Sequence, residues 1–378
     1  CVPLDLFGGS TAIGVGSITQ EMLDYIEFVA QDASSTSMRN YTANISGDVF
    51  ELPAGMMGFA AGYEKRWHKG YDLPDAFIAA GLSSGNARQP TSGAFDVDEM
   101  YLELAIPLLA DVAFARNLDL ELATRYSDYS NFGNTTNSKV GLKWRVNDDL
   151  MVRATYSESF RAPSISELFL GNSDSFVNLV DPCNGGAAVN SDKPGCAGIP
   201  AGYQQPNPQI RTTVGGNQNL QAEEGESVTY GFVYNPSWAD GLSVTFDVFD
   251  VTIDGAVSGV GAQNILDACA GDGQTLCSLV QRNSSGAVVD LFNGLVNLGG
   301  AETRGMDANI AYRMDADFGT FVTRLDLTYI DKRNDIIVDP VSGLSTVDEL
   351  AGQAFDRDVI PRVRSNFSVD WALNDWTA

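Results

Sequence analysis

Few residues in this chain have the type and spacing for covalent chemistry. His68 is its single histidine. A nucleophile–histidine–carboxylate arrangement would have to use it. Zinc chemistry is disfavoured for the same reason, because one histidine stands without any Cys-x-x-Cys spacing. The 49 acidic residues show no EF-hand-type spacing either. The chain is therefore read as a non-enzyme with no cofactor and no metal. The chemistry that remains belongs to five cysteines. Cys183 and Cys196 share one Pro/Gly/Asn-rich stretch, and Cys269 and Cys277 share another. Two local pairs predict two small disulfides and an oxidising compartment. Cys1 is left over, with its partner expected just upstream.

Charge narrows the partners. The 378 residues carry a formal net charge of −26. Such a surface repels polyanions, which argues against nucleic acid and anionic lipid as ligands. Mean hydropathy is −0.08, and no apolar run reaches the length of a helical membrane span.

The elements that must position the cysteines are strands. From Leu118, the residues Leu118, Leu120, Leu122, Thr124 and Tyr126 share one face, against Asp119, Glu121, Ala123 and Arg125. Val140, Leu142, Trp144 and Val146 oppose Lys139, Gly141, Lys143 and Arg145. After the turn Asn147-Asp148-Asp149, Leu150, Val152, Ala154 and Tyr156 oppose Met151, Arg153, Thr155 and Ser157. Period two with one greasy and one charged face predicts strands, and runs of about ten residues suit tilted strands crossing a bilayer.

The pattern recurs along the chain. Before it, residues 1–38 read as a loop holding one short helix with a Ser17/Gln20 capping box. Strands are expected over 39–52, over 57–63, from 95 to Pro107–Leu108, and back through Tyr126. Trp67 to Gly93, Ser127 to Asn137, 161–222, 258–287 and 334–357 read as polar loops. Further strands centre on 228–234, 242–248, 306–313, 321–329 and 363–371. The count is about eleven antiparallel strands, and connections are expected to alternate strictly between short and long. That asymmetry marks an outer-membrane barrel with short periplasmic turns and long extracellular loops. Aromatics fit two interfacial girdles: Trp144, Trp238, Tyr312 and Trp371 by the short turns, and Tyr63, Tyr126, Tyr156 and Tyr329 by the long loops. An open edge cannot face hydrocarbon. The chain, opening on Cys1 and stopping just after the turn-like Asn374-Asp375, is thus expected to be a piece of a larger barrel.

Three stretches carry a family resemblance. They are RYSDYSNFGNTTNSKVGLKW from Arg125, the DDLMVRATYSESFRAPSISELF that follows, and ETRGMDANI at 302–310. Together they resemble the C-terminal barrel half of TonB-dependent outer-membrane receptors. The opening CVPLDLFGG and the SITQEMLDYI helix are similar to an extracellular loop of that family. GNQNLQAEE from Gly216 resembles its strand-entry motif, with Gln218 where proline is usual and Glu223 or Glu224 and Ser227 following.

The resemblance implies an all-β, antiparallel transmembrane β-barrel of which residues 1–378 form about half of 22 strands. The N-terminal plug and the last strand would lie outside this sequence. It implies a monomer in the bacterial outer membrane, surrounded by lipid and coupled through its plug to the TonB complex. Its cargo would be a bulky scarce nutrient: a siderophore, cobalamin or an oligosaccharide. A passive porin is the alternative. Lumen charges such as Glu121, Arg125, Lys143, Arg153, Arg324 and Asp326 would hold a plug by ion pairs. Ligand contacts would come from the extracellular loops, where Tyr71, Phe176 and Tyr203 offer stacking surfaces. Phe160-Arg161-Ala162-Pro163 marks a strand leaving the membrane, with Pro163 ending its ladder.

Overall fold

A computed structural model describes residue 2 and residues 18–338, 345–355 and 358–377. Cys1 and Ser17, on which two of the expectations fall, lie outside the described residues. In chain order the elements are α1 (Gln20–Ile26), β1 (Ala33–Leu52), β2 (Gly55–Leu73), α2 (Ala76–Ala79), β3 (Thr91–Val112), β4 (Ala115–Tyr129), β5 (Gly133–Arg145), β6 (Leu150–Arg161) and α3 (Ile165–Phe169). Then come β7 (Ser173–Asn178), β8 (Gln209–Val214), β9 (Glu223–Tyr234), β10 (Leu242–Gly259), α4 (Ala262–Asp272), β11 (Val280–Arg282), β12 (Val288–Phe292) and β13 (Leu295–Ala316). The chain closes with β14 (Gly319–Val338), β15 (Ser345–Glu349), β16 (Ala354–Phe355), β17 (Asp358–Val359), β18 (Val363–Leu373) and β19 (Trp376–Thr377).

One antiparallel sheet dominates. Its order is β1-β2-β3-β4-β5-β6-β9-β10-β13-β14-β18-β19, with β15 paired to β14. Eleven long strands and the start of a twelfth form an unclosed wall. The alternation of apolar and charged residues gives this wall two faces, because a one-residue step flips the side chain. Leu102, Leu142, Val228, Tyr230 and Phe367 stand exposed on the outer face. No helix among the described residues is long and apolar enough to cross a membrane, which says nothing against strands.

Several boundaries differ from the sequence reading, each for a physical reason. β2 runs on through Trp67 to Leu73 and β3 starts at Thr91, so strand takes both ends of that polar stretch and 74–90, with α2 inside it, remains as the connection. β4 and β5 extend to Tyr129 and Gly133, leaving a tip of only 130–132. The connections therefore do not alternate strictly between short and long. Part of 334–357 is likewise strand, in β14 and β15. In each case the ladder continues past the residues whose apolar and charged faces alternate cleanly. Pro107 lies inside β3, at a register shift between Pro107 and Leu109. A bulge tolerates a residue with no N–H. The first helix is capped by Thr19, whose side chain accepts from the Met22 N–H, and it ends before Val29. None of its residues is buried.

Candidate ligand-binding site

The inner face of the wall carries the charges, and they pair with one another. Glu121 takes Lys143 at 2.5 Å and Lys139 at 3.7 Å. Arg153 reaches across β9 to Asp247 at 2.5 Å, and Arg324 reaches Asp370 at 2.6 Å. Asp326 accepts from the Asn309 amide at 2.5 Å. These residues are placed as the alternation requires. Their partners, however, are neighbouring strands of the same wall.

A tighter cluster sits higher on β2, β3 and β4. Glu99 is 2% exposed. It accepts from Arg66 at 2.7 Å, from Arg125 at 2.7 Å and from the Ser127 hydroxyl at 2.6 Å. Glu64 closes the square, 3.4 Å from Arg66 and 3.1 Å from Arg125. Two guanidinium groups and two carboxylates thus cancel. Cross-strand registry produces the square: Glu64 faces Glu99 and Arg66 faces Val97, while Glu99 faces Ser127 on the other side.

Above this square the wall becomes aromatic. His68 stacks on Phe95 with centroids 4.9 Å apart and planes at 21°. Phe95 lies 6.1 Å from Tyr129, and Tyr129 stacks on Phe132 at 4.7 Å. The Arg66 guanidinium also donates to the Tyr129 hydroxyl at 3.3 Å.

A short ledge overhangs these rings. β6 stops at Arg161 and Pro163 follows, so the chain turns into the mouth. Ser164 caps α3 in a capping box with Glu167. Arg161 then holds both sides of the turn, donating to Glu167 at 2.9 Å and to Glu223, the first residue of β9, at 2.6 Å. Its bidentate bonds pull the Glu167 carboxyl down to about 2, with the Ser164 N–H and hydroxyl helping against partial burial. The helix packs on glycines because nothing larger fits. A Cβ on Gly93 would lie 2.1 Å from the Phe169 ring, and Gly70 sits under Ile165. Between ledge and wall lies a cavity of about 720 Å³, bordered by Thr36, Arg66, His68, Phe95, Tyr129 and residues 162–166.

The two longest connections fold together over this region as a cap. β7 and β8 come from 162–222, and β11 and β12 from 260–294. They form one four-stranded sheet, order β11-β12-β8-β7, joined by parallel pairing of Leu291 with Thr212. Leu179, Ile210, Ile265, Leu266, Val288 and Leu291 make its core. Disulfides Cys183–Cys196 and Cys269–Cys277 span Cα separations of 5.4 and 4.7 Å. Cys183 and Cys196 pack with Ala270 of α4. Arg282 forks onto fully buried Asp181 at 2.6 and 2.9 Å. Burial pushes the Asp181 carboxyl up, but Arg282, the Cys183 N–H and the Tyr203 hydroxyl outweigh it and hold it below its usual range. Burial and the bond to Asp181 push the Tyr203 hydroxyl up to about 12.

The three aromatics singled out for ligand contact do not converge. Tyr203 is buried in the cap, bonded to Asp181 at 2.9 Å. Phe176 is exposed on β7. Tyr71 leaves β2 on the face opposite His68. The rings that do converge, His68, Phe95, Tyr129 and Phe132, fall inside or beside stretches that read as loops, and strand registry rather than local sequence brings them together. The girdle aromatics stand where alternation puts them. Trp144 and Trp371 each donate an indole N–H to a carbonyl in the adjacent tight turn, that of Phe114 at 2.8 Å and of Phe318 at 2.9 Å. Trp238 donates to the Tyr234 hydroxyl at 3.1 Å.

Comparison with known proteins follows this geometry. The family model described as "TonB dependent receptor-like, beta-barrel" matches residues 7–378. No curated protein matches the chain. Among solved structures, it is similar to the siderophore receptor PirA from Acinetobacter baumannii. Identity is 16%, the TM-score is 0.53, and the match covers 91% of this chain and 41% of that one. It is also similar to a mutant of the ferric enterobactin receptor PfeA from Pseudomonas aeruginosa, at 15% identity and TM-score 0.56, covering 90% and 40%. The chain spans about two-fifths of the length of these proteins.

Proposed function

The chain belongs to the TonB-dependent receptor-like β-barrel family, and on that premise we propose that it is part of an outer-membrane importer. Further strands would close the wall on each open edge, and a plug would fill a lumen of this width. The cargo would be a bulky scarce nutrient: a siderophore, cobalamin or an oligosaccharide. Coupling to the TonB complex through the plug would supply the energy, with the receptor working as a monomer.

One observation supports this most. The wall has an apolar outer face and a charged inner face, and its elaborate connections gather at one end. A folded cap, a helical ledge and a ring-lined cavity lie together there. A simple diffusion pore needs none of these. The inner-wall charges that pair do so within the wall, and a plug would seat against that lining.

The test uses the full-length receptor in cells. Receptor-bearing and receptor-deleted strains are grown with iron, cobalamin or oligosaccharide limiting in turn. The receptor should give a growth advantage on one of them, and deletion of TonB should abolish it. An advantage that persists without TonB means passive passage and overturns the reading.

A further inference from the structure

The cavity beneath the ledge has a chemistry that selects among cargo classes. We propose that it binds a neutral saccharide, not an anionic ferric chelate. This rests on the uptake reading above and narrows it.

Size permits the assignment. About 720 Å³ falls in the range of small-molecule sites, roughly 300–1,000 Å³. The floor then decides the ligand's shape. His68, Phe95 and Tyr129 line the cavity as a continuous run of rings with spacings of 4.9 and 6.1 Å, and Phe132 stacks on Tyr129 outside the lining. Such a run offers flat apolar area to the C–H face of a pyranose. The rim supplies the polar complement. Thr36, Ser164 and Ser166 border the opening. Each hydroxyl both donates and accepts, which matches a polyol whose own hydroxyls do the same. A flat neutral aromatic would use the rings and leave those hydroxyls unmatched.

Charge argues against an anion. Arg66 is the cation whose side chain faces the cavity, and Glu99 and Glu64 hold it together with Arg125 in a closed square. Lys69 borders the cavity, but by alternation its side chain leaves β2 on the other face. A ferric tris-catecholate carries three negative charges. It would have to break the square, leave nearly buried Glu99 uncompensated, and approach a chain of net charge −26. A neutral sugar does none of this.

The full-length receptor, purified in nanodiscs, is applied to an array of neutral di- to tetrasaccharides. The best glycan and ferric enterobactin are then titrated calorimetrically. The expected result is saturable binding of at least one neutral glycan. Phe95→Ala and His68→Ala should each weaken it at least tenfold, and Tyr71→Ala should leave it unchanged. His68 is half-buried and stacks on Phe95, so His68→Ala keeps the test if Phe95→Ala misfolds. Failure of the folded receptor to bind any neutral glycan overturns the proposal. So does ferric enterobactin binding more tightly than any glycan and weakening in Arg66→Gln. Either failure leaves TonB-dependent uptake standing, since growth without TonB tests that separately.

Discussion

Arg324 and Arg282 each bond an aspartate at 2.6 Å, yet they do so in different solvents. On the wall, Arg324 and Asp370 are 51% and 60% exposed. In the cap, Arg282 is 18% exposed and Asp181 not at all. The wall pair stands half in water, so its attraction is screened and either partner survives alone. The cap pair has surrendered its hydration, and each ion depends on the other. The wall is held by backbone ladders between long strands. The cap, with small sheets and short helices, is held as a small secreted domain is, by a compact core, two disulfides and one buried ion pair.

The largest effect should come from breaking that buried pair on one side. Arg282→Met strands Asp181 and should cost the cap about 3–5 kcal/mol. Hydrogen exchange would show it as lost protection in β8 and β12, with β4 and β10 unchanged. Pairing it with Asp181→Leu should restore part of the loss, because it removes the stranded charge but leaves the buried Cys183 N–H without its acceptor. Equal deprotection of cap and wall in the single variant would mean that the two are one cooperative unit.

Reduction ranks next. Each disulfide closes a short loop, with separations of 13 and 8 residues. Loop entropy then gives about 3 and about 2.5 kcal/mol respectively. Cys183→Ser with Cys196→Ser should open the cap to protease within 179–205 and leave the wall resistant. Cleavage in the wall under the same conditions would contradict the separation drawn here.

How far the sequence revealed each region follows from the same contrast. The wall was legible because its solvent is anisotropic. Lipid on one side and water on the other write a period-two pattern into residues such as Leu118–Arg125 and Leu242–Val248. Where polar residues enter both faces the pattern vanishes, which is why 67–73, 127–129 and 133–137 read as loop though they are strand. The cap was not legible. Its sheet joins Leu291 to Thr212 across some eighty residues, and no local pattern marks that pairing. Only its cysteines, locally spaced, announced themselves. The candidate cavity fell in the same blind zone, since His68 and Tyr129 both lie in stretches that read as loop.

Acid should separate the ledge from the wall at a smaller scale. The Glu167 carboxyl is held at about 2 in the folded receptor by Arg161, against an ordinary value near 4.3 when unfolded. A depressed pKa stabilises above the unfolded value and fades as pH falls toward the folded one. The ledge should therefore be unaffected from pH 7 to about 5 and loosen between about 4.5 and 2. Tyr203 acts in the opposite direction. Its raised value of about 12 keeps the cap intact below pH 10 and weakens it as pH rises from about 10 to 12. Fluorescence of a label on α3 and one on the cap, followed across pH, would read the two windows independently. Loss of the ledge signal already at pH 6 would remove Glu167 from that role.

The smallest effect should come from the wall ladder. Arg324→Ala removes a half-exposed partner of Asp370, and such pairs contribute about 0–1 kcal/mol. The freed Asp370 remains hydrated, so no buried charge is stranded. Thermal unfolding of the full receptor should shift by no more than a degree or two, and the shift should shrink further at 1 M salt, where screening falls to about 3 Å. A large loss that salt does not touch would mean that Arg324 is desolvated in the complete barrel. The inner face at β14 and β18 would then be sealed by something packed against it, and the wall would resemble the cap after all.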